Sequence, residues 1–125
     1  MTALTVKRGD ILLVVYPFTD LSAKAVRPAL VLSNDQHNAS DPDLVCLMIS
    51  SQAHKARPAD FVLRATDPDF RQSGLRLDSV FRISRLATLE TALAQRRLGT
   101  ASDRVLSEVS KRLVELLGLA EITAA

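Results

Sequence analysis

The chain has one cysteine, four glycines and two histidines, and these low numbers exclude several kinds of functional site. One cysteine cannot form a disulfide within the chain and does not provide a cysteine-based zinc site. The glycines stand too far apart, at positions 9, 74, 99 and 118, to form a glycine-rich phosphate-binding loop. His37 and His54 lack the close spacing of a zinc-binding pair. The pattern Gly-x-Ser-x-Gly, which marks the nucleophile of many serine hydrolases, does not occur.

Long apolar segments and a targeting segment are also missing from the sequence. No apolar run approaches the roughly 20 residues that span a bilayer, and residues 1–8 lack the basic segment and apolar stretch of a signal peptide. We therefore expect a cytoplasmic protein that has no membrane partner. With 47% hydrophobic and 24% charged residues, residues 1–125 are predicted to form a single domain. Cys46 lies in an apolar run from Leu44 to Ile49, which predicts a buried and unreactive thiol.

Positive charge is supplied mainly by arginine and is unevenly distributed. Twelve of the sixteen basic residues are arginine, although the net charge is only +2. Between residues 55 and 97 there are nine basic residues and five acids. Arginine binds phosphates and bases through a planar fork of donors, so this bias favours nucleic-acid recognition. A solvated surface with local ion pairs is the alternative explanation of the same pattern.

The first two thirds of the sequence predict short strands. Apolar runs of strand length, bounded by glycine, proline or polar residues, occur at 11–16, 28–33, 44–50, 61–65 and 79–83. Their spacing of about 12 to 18 residues is typical of a small all-β barrel or sandwich and not of βαβ units. The polar segment 34–43 is predicted to be a loop, and Asp67-Pro68-Asp69 a turn.

A change of period near the C-terminus predicts an amphipathic helix of about four turns. Apolar residues recur at three- and four-residue spacing from Val105 to Leu117. Ser102 is a suitable N-cap, Asp103 suits the positive end of the helix dipole, and Gly118 suits the C-terminal stop. We expect this helix to cover the sheet, and its apolar face requires no ligand to explain it.

The segment Arg27-Pro28-Ala29-Leu30-Val31-Leu32-Ser33 is the most informative in the chain. Proline fixes its own φ and favours an extended conformation in the residue before it, so Arg27 is expected at the rim of a buried strand. Ser50, Ser51 and Gln52 follow another apolar run in the same way. If these strand ends meet, a guanidinium and a hydroxyl converge and can bind a phosphodiester. A solvated strand flank at Arg27 and an ordinary turn after the second run are the alternatives.

Four segments of the chain, taken together, carry a family signature. They are Lys7–Ile11, Tyr16–Asp20, Arg27–Ser33 and Ile49–Gln52, in that order. Together they resemble the MazF/PemK family of toxins from toxin–antitoxin pairs. Residues 74–75, 78–80, 86–89 and 98–99 and the final helix also fit, so the resemblance extends from residue 7 to about residue 119. The opening Arg-Gly-Asp-Ile is weak alone, whereas the Arg-Pro segment in this order with the others is fairly specific.

The resemblance implies an SH3-like β-barrel with a C-terminal helix, working as a homodimer. It implies an endoribonuclease, independent of metal and without a cofactor, that cuts single-stranded mRNA at short sequences and so inhibits translation and growth. It also implies a cognate antitoxin protein that blocks the RNA groove. The family's catalytic arginine falls on Arg27, and its catalytic threonine or serine falls on Ser50. Such cleavage uses the 2′-hydroxyl of RNA as nucleophile and leaves a 2′,3′-cyclic phosphate and a 5′-hydroxyl. We expect Arg27 to stabilise charge on the phosphate and Ser50 to donate a hydrogen bond.

Further residues are expected to contact RNA. RNA is recognised through aromatic stacking, base-edge hydrogen bonds and cationic contacts to phosphates. The candidates are Phe18, Asp20, Ser51, Gln52, His54, Lys55, Arg57, Arg82 and Arg85. His54 is also the chemical candidate for a general base, because imidazole titrates near neutral pH, although the family does not generally need a histidine there.

Two departures from the family pattern concern segments that are expected to touch RNA. Many members have Gln and, two residues later, Arg where this chain has Arg85 and Ala87, and a loop with Gly and Glu where it has residues 23–26. These differences bear on the cleavage sequence and on catalytic efficiency, and not on the fold. Two other functions stay open: a toxin that binds DNA gyrase without catalysis, as CcdB does with the same barrel, and an RNA-binding barrel with little turnover.

Overall fold

The fold is mainly β, with one antiparallel sheet and a C-terminal helix. A computed structural model describes residues 4–16 and 25–120. Within them the strands are β1 (Asp10–Tyr16), β2 (Ala25–Val31), β3 (Asp43–Ser50), β4 (Phe61–Leu63), β5 (Ser79–Glu90) and β6 (Ala94–Thr100), and the helices are α1 (Asp35–Ser40), α2 (Phe70–Ser73) and α3 (Asp103–Leu117). The strand order in the sheet is β4-β5-β3-β2-β1-β6. The sheet curls into a half-barrel, which confirms the predicted fold class.

Apolar side chains cover both faces of the sheet, because successive residues of a strand point to opposite sides. On one face, Leu47 and Ile49 of β3 belong to a core that includes Val105 of α3. On the other face, Cys46 and Met48 of the same strand belong to a second core. Two covered faces explain why the central strands read as almost continuous apolar runs and not as alternating ones.

Strand β2 begins earlier than predicted, and this changes the position of Arg27. The apolar run predicts a strand from Pro28 to Ser33, but β2 begins at Ala25 because it pairs with β1 from that residue onward. Arg27 therefore lies within the strand, opposite Val14 of β1, and the expectation that it stands at the strand's rim was wrong. Its backbone is fixed by strand pairing as well as by the following proline.

The strands predicted at 11–16 and 44–50 are confirmed as β1 and β3, and the other predictions differ from the structure mainly where the sequence is polar. The run at 61–65 is confirmed as β4, which already ends at Leu63. The run at 79–83 is only the first part of β5, which continues to Glu90 because it pairs with β3. Strand β6 was not predicted at all, because three of its residues, Gln95, Arg96 and Arg97, are polar and exposed. Backbone pairing, and not an apolar pattern, makes these segments strands.

Two short helices also fall outside the predicted pattern. Helix α1 lies in the segment predicted to be a loop, and it begins where Asn34 Oδ1 accepts a hydrogen bond from the His37 N–H at 2.8 Å. None of its residues is buried, so it leaves no apolar period in the sequence. Helix α2 follows the turn at Asp67–Asp69, which is confirmed: Asp67 Oδ1 accepts a hydrogen bond from the Asp69 N–H at 2.8 Å.

The predicted C-terminal helix is confirmed as α3. Ser102 Oγ accepts a hydrogen bond from the Val105 N–H at 3.1 Å, and Gly118 ends the helix in the left-handed conformation. Val105 and Val109 are buried against the sheet, so the apolar face of the helix covers the core as expected. No helix in residues 4–16 and 25–120 is both long enough and apolar enough to cross a membrane.

Two glycines bring helix α2 and strand β6 into backbone contact. Gly74, at the end of α2, has a φ of +73°, and a Cβ atom there would lie 1.9 Å from the Leu98 carbonyl oxygen. A Cβ atom on Gly99 would lie 2.4 Å from the carbonyl oxygen of Gln72, whose side chain also donates a hydrogen bond to Thr100 Oγ1 at 3.1 Å. Helix α2 belongs to the β4–β5 connection, at one end of the sheet, and β6 is the strand at the other end. This contact therefore holds the sheet in its curl.

Cys46 should not react with a thiol reagent while the protein is folded. Its side chain is fully buried, and burial raises the pKa of the thiol to about 12. Such reagents attack the thiolate, so at pH 8 we expect labelling roughly a thousandfold slower than that of an exposed cysteine. The thiol has a higher pKa in the folded protein than in the unfolded chain, so a rise in pH favours the unfolded chain. The free energy of unfolding should therefore be unaffected by Cys46 below about pH 8.5 and should fall as the pH rises toward 12. Titration with a chromogenic disulfide should give one equivalent in guanidinium, and an equivalent in native buffer would contradict the burial.

Candidate functional site

Strands β2 and β3 bring together the two residues predicted to be catalytic. The last recorded pair between these strands is Ala29–Met48, and the same antiparallel register, continued by two residues, places Arg27 opposite Ser50. Pro28 has no N–H group to donate, and it lies where the pairing with β3 stops. Arg27 and Ser50 therefore lie on neighbouring strands, each two residues beyond the last pair.

A cavity of about 440 Å³ lies at Arg27 and Ser50, and we call it the cationic cavity. Its ten described lining residues are Tyr16, Arg27, Met48, Ile49, Ser50, Gln52, Lys55, Arg57, Arg82 and Arg85. Five of these ten side chains are cationic and none is acidic. Such a concentration of one charge attracts a polyanion such as a nucleic-acid backbone. Seven of the predicted site residues meet here: Arg27, Ser50, Gln52, Lys55, Arg57, Arg82 and Arg85.

An irregularity in β5 brings two of these arginines to the cavity. Opposite Met48, strand β3 advances by two residues while β5 advances by five, from Phe81 to Leu86. The extra residues of β5 form a bulge whose first and last members are Arg82 and Arg85, and both line the cationic cavity. Bulges commonly redirect side chains beside functional sites. The position of the two arginines thus follows from the register of β5 against β3.

Arg27 and Ser50 both have donors available to a ligand. Ser50 Oγ accepts a hydrogen bond from the Gln52 N–H at 3.1 Å, and an accepting hydroxyl keeps its own proton for donation. Arg27 is exposed, and no other described residue forms a hydrogen bond or an ion pair with its guanidinium. A phosphate in the cavity would therefore meet a guanidinium fork from β2 and an O–H donor from β3.

A second cavity of about 410 Å³ adjoins the first and is lined by more apolar side chains. Arg27, Ile49 and Ser50 line both cavities, so these residues form the wall that the two share. The predicted RNA-contact residue Ser51 lines only the second cavity among the residues described. The other lining residues of the second cavity are Leu13, Val26, Pro28, Gly74, Leu75, Arg76, Leu77, Ser79, Arg96 and Leu98.

Three predicted RNA-contact residues are not placed at either cavity. His54 lies exposed in the short 3-10 helix Ala53–Lys55 and is not among the described lining residues. Phe18 and Asp20 lie outside the residues that the structure describes.

The structure also describes the two positions, 85 and 87, at which the chain departs from its family. Ala87 is partly buried against the second core, whereas Arg85 lines the cationic cavity.

Several lining residues were missed by sequence reasoning. Tyr16, which packs against the second core, also lines the cationic cavity. Its position at the end of β1, before a proline, is a signal that could have indicated this role. Arg76 and Arg96 of the second cavity were not singled out, and Arg96 lies on β6, whose sequence gives no strand pattern.

Comparisons with known proteins match both the sequence and the fold. A family described as PemK-like, MazF-like toxin of type II toxin-antitoxin system matches residues 7–117. A crystal structure of MazF from Deinococcus radiodurans is 25% identical, with 92% of this chain and 98% of that chain covered and a TM-score of 0.73. A MazE–MazF structure from the same organism is 26% identical, with the same coverage and TM-score. An endoribonuclease in complex with its cognate antitoxin, from a mycobacterial species, shares the fold at 19% identity, with 91% and 94% covered and a TM-score of 0.67. A search of curated protein sequences finds no match.

The family match covers nearly the whole of the described fold. It begins just before β1 and ends at the last residue of α3, so it includes all six strands described here. Arg27 and Ser50 lie within it, on the two strands that bring them together. The chain therefore belongs to the PemK-like, MazF-like toxins of type II toxin–antitoxin systems.

Proposed function

We propose that this protein is the toxin of its module and that it acts as a metal-independent, sequence-specific endoribonuclease on single-stranded mRNA. The observation that carries the proposal is that Arg27 and Ser50, from neighbouring strands, line one cavity together with four further cationic side chains. A phosphodiester bound there would contact a planar fork of donors on one strand and a hydroxyl on the next. Family membership and the mycobacterial endoribonuclease among its structural neighbours support the same activity.

The reaction requires a nucleophile, stabilisation of negative charge and two proton transfers. RNA supplies the nucleophile: its 2′-oxygen attacks the adjacent phosphorus, and the bond from phosphorus to the 5′-oxygen breaks. The 2′-hydroxyl loses a proton and the leaving 5′-oxygen gains one, so the products end in a 2′,3′-cyclic phosphate and a 5′-hydroxyl. Arg27 donates to the nonbridging oxygens as charge builds up on them, and Ser50 donates to the phosphate or to the leaving oxygen. One such donor contributes about 3–4 kcal/mol to transition-state stabilisation.

Two of the proposed partners, RNA and an antitoxin, suit the same cavity. Single-stranded RNA is the substrate because its exposed phosphates suit the cations and its unstacked bases are accessible for recognition. We also propose that a cognate antitoxin protein covers this site and that the toxin works as a cytoplasmic homodimer. The MazE–MazF complex and the antitoxin-bound mycobacterial endoribonuclease are precedents among its neighbours. An antitoxin that covers a cationic cavity would present acidic side chains to it.

A mixed pool of single-stranded RNA, incubated with the protein in EDTA, tests the proposed reaction. We expect cleavage at a short recurring sequence, because the 2′-hydroxyl and the protein's own donors supply the chemistry. Sequencing and end analysis should show cyclic phosphates and 5′-hydroxyls. Ser50→Ala should lower the cleavage rate by roughly 100-fold, because it removes one transition-state donor. Ser107→Ala, at an exposed position on α3, is the matched control and should cleave normally.

Each alternative function has its own outcome in this experiment. RNA that is bound but stays intact would indicate an RNA-binding barrel without turnover. RNA that is neither bound nor cleaved, together with inhibition of DNA gyrase, would indicate a gyrase-binding toxin. Cleavage that depends on an added divalent metal would contradict the mechanism and not the site.

A further inference from the structure

The loop between β3 and β4 carries two cations of the cationic cavity, Lys55 and Arg57. Its last residue, Asp60, is an acid whose side chain is only 2% exposed. A buried carboxylate is unfavourable unless hydrogen bonds and an opposite charge compensate it. The partners of Asp60 therefore indicate why an acid is placed next to a cationic site.

The Asp60 carboxylate joins this loop to strand β5. Its Oδ2 atom accepts hydrogen bonds from the Arg57 N–H at 2.9 Å and from Arg82 Nη1 at 3.0 Å. Its Oδ1 atom accepts one from the Ile83 N–H at 3.2 Å. Arg82 Nη1 also donates to the Lys55 carbonyl oxygen at 3.0 Å. Asp60 and Arg82 thus hold the backbone of the loop at both of its cationic residues.

Helix α3 also contacts Asp60, through the side chain of Arg112. Arg112 Nη1 donates a hydrogen bond to the Asp60 carbonyl oxygen at 2.6 Å, and its guanidinium lies 5.6 Å from the centroid of the Phe61 ring. Glu108, one helical turn away, accepts a hydrogen bond from Arg112 Nε at 3.0 Å. Asp60 is therefore the residue at which the loop, β5 and α3 are joined.

Arg82 differs from the other cations of the cavity. Its side chain is only 13% exposed and is paired with Asp60, so its charge is largely compensated. Lys55 and Arg57 are exposed, and no described residue forms a hydrogen bond or an ion pair with the side chain of either one. The charge that the loop offers to a polyanion is therefore that of Lys55 and Arg57, and the Asp60–Arg82 pair fixes where those residues lie.

We infer that Asp60 and Arg82 are positioning residues for RNA binding, which hold the β3–β4 loop so that Lys55 and Arg57 contact phosphates. This inference rests on the proposed function. It predicts that removal of the Asp60 charge changes the affinity for RNA in the direction opposite to that expected from charge alone. Removal of an acid beside a cationic cavity should strengthen RNA binding by Coulomb's law, whereas loss of the loop's position should weaken it.

The test is the affinity of Asp60→Asn for a mixed-sequence 2′-O-methyl RNA, which keeps the phosphates and blocks the nucleophile. We expect fluorescence anisotropy to show a Kd about tenfold higher than that of the wild type, because two phosphate contacts are impaired. With cleavable RNA, KM should rise by a similar factor while kcat is retained, because Arg27 and Ser50 lie on β2 and β3. Arg82→Gln breaks the same pair from the β5 side and should raise the Kd as well.

Asp10→Asn is a matched control for Asp60→Asn. Asp10 also ends a four-residue turn, its side chain is 5% exposed, and it accepts hydrogen bonds from the Lys7 N–H at 2.8 Å and from Arg97 Nη2 at 2.9 Å. It lines neither cavity among the described residues. A loss of stability alone would affect both variants, whereas only Asp60→Asn should weaken RNA binding.

A double-mutant cycle separates positioning from direct contact. In a Lys55→Ala, Arg57→Ala background, Asp60→Asn and Arg82→Gln should have no further effect on the Kd. Unchanged or tighter RNA binding by Asp60→Asn would overturn the inference, and so would a loss of affinity that persists in that background. If circular dichroism shows that Asp60→Asn does not fold, Arg82→Gln carries the test. A wild-type protein that does not bind RNA overturns the proposed function as well, whereas normal wild-type binding with an unaffected Asp60→Asn overturns the inference alone.

Discussion

Replacement of Arg27 by alanine should lower the rate of RNA cleavage roughly 100- to 1,000-fold, which corresponds to the loss of one transition-state donor. Arg27 lies within β2 and lines the same cavity as Ser50, and its guanidinium is not engaged by any other described residue. Its effect should therefore fall on the reaction and not on the fold. Single-turnover measurements at saturating RNA report the chemical step and not binding. Arg27→Lys keeps the charge but loses the planar fork, so it should recover only part of the rate.

Arg71→Ala is the matched control, because Arg71 is exposed on α2 and lines neither cavity among the described residues. It removes the same side chain and the same charge from the protein, and its cleavage rate should equal that of the wild type. Circular dichroism should show that both variants are folded. If Arg27→Ala cleaves RNA at the wild-type rate under single-turnover conditions, Arg27 is not the transition-state donor and the site is assigned wrongly.

Gly74→Ala should destabilise the protein more than most single substitutions. Two effects add: a left-handed conformation disfavours alanine by about 1–3 kcal/mol, and overpacking contributes about 1–3 kcal/mol more. The overpacking arises because the added Cβ atom would lie 1.9 Å from the Leu98 carbonyl oxygen, which belongs to backbone and cannot rotate away. The sum is a large part of the about 5–15 kcal/mol that stabilises a typical domain. Thermal unfolding should show a Tm lower by roughly 10 °C or more.

Gly9→Ala separates the two effects. Gly9 also has a positive φ, of +92°, but a Cβ atom there would meet only the end of the Leu106 side chain, at 3.5 Å. It should therefore show the conformational penalty without the overpacking. Equal losses of stability in Gly9→Ala and Gly74→Ala would contradict the close contact between α2 and β6.

The parts of the fold that could be predicted are those whose side chains are buried. Strands β1 and β3 and helix α3 each place apolar residues in a core, so their periods appear in the sequence. Strand β6 and the second half of β5 are held by backbone pairing and carry exposed polar side chains, which produce no such period. The backbone contact between α2 and β6 depends on two glycines that are 25 residues apart, and only the folded chain shows that they meet.

The site was predictable to a similar degree. The family resemblance identified Arg27 and Ser50, and the position of each beside a buried run indicated a phosphate-binding role. The strand register that brings them to one cavity could not be deduced, because the β2–β3 connection is long and includes an unpredicted helix, α1. The pairing of Arg82 with Asp60 could not be deduced either, since the two residues are 22 positions apart in the chain. A sequence indicates which residues carry charge, and the fold determines which of those charges remain available.

The bulge in β5 limits how this protein can change through evolution. A substitution at Arg85 alters one side chain at the cavity and leaves the rest of the strand in place. A deletion of one residue there would shift the pairing of all that follows, and Leu89, which is buried in the second core, would be turned to the opposite face of the sheet. We therefore expect related toxins to differ more readily at Arg85 than in the length of this segment.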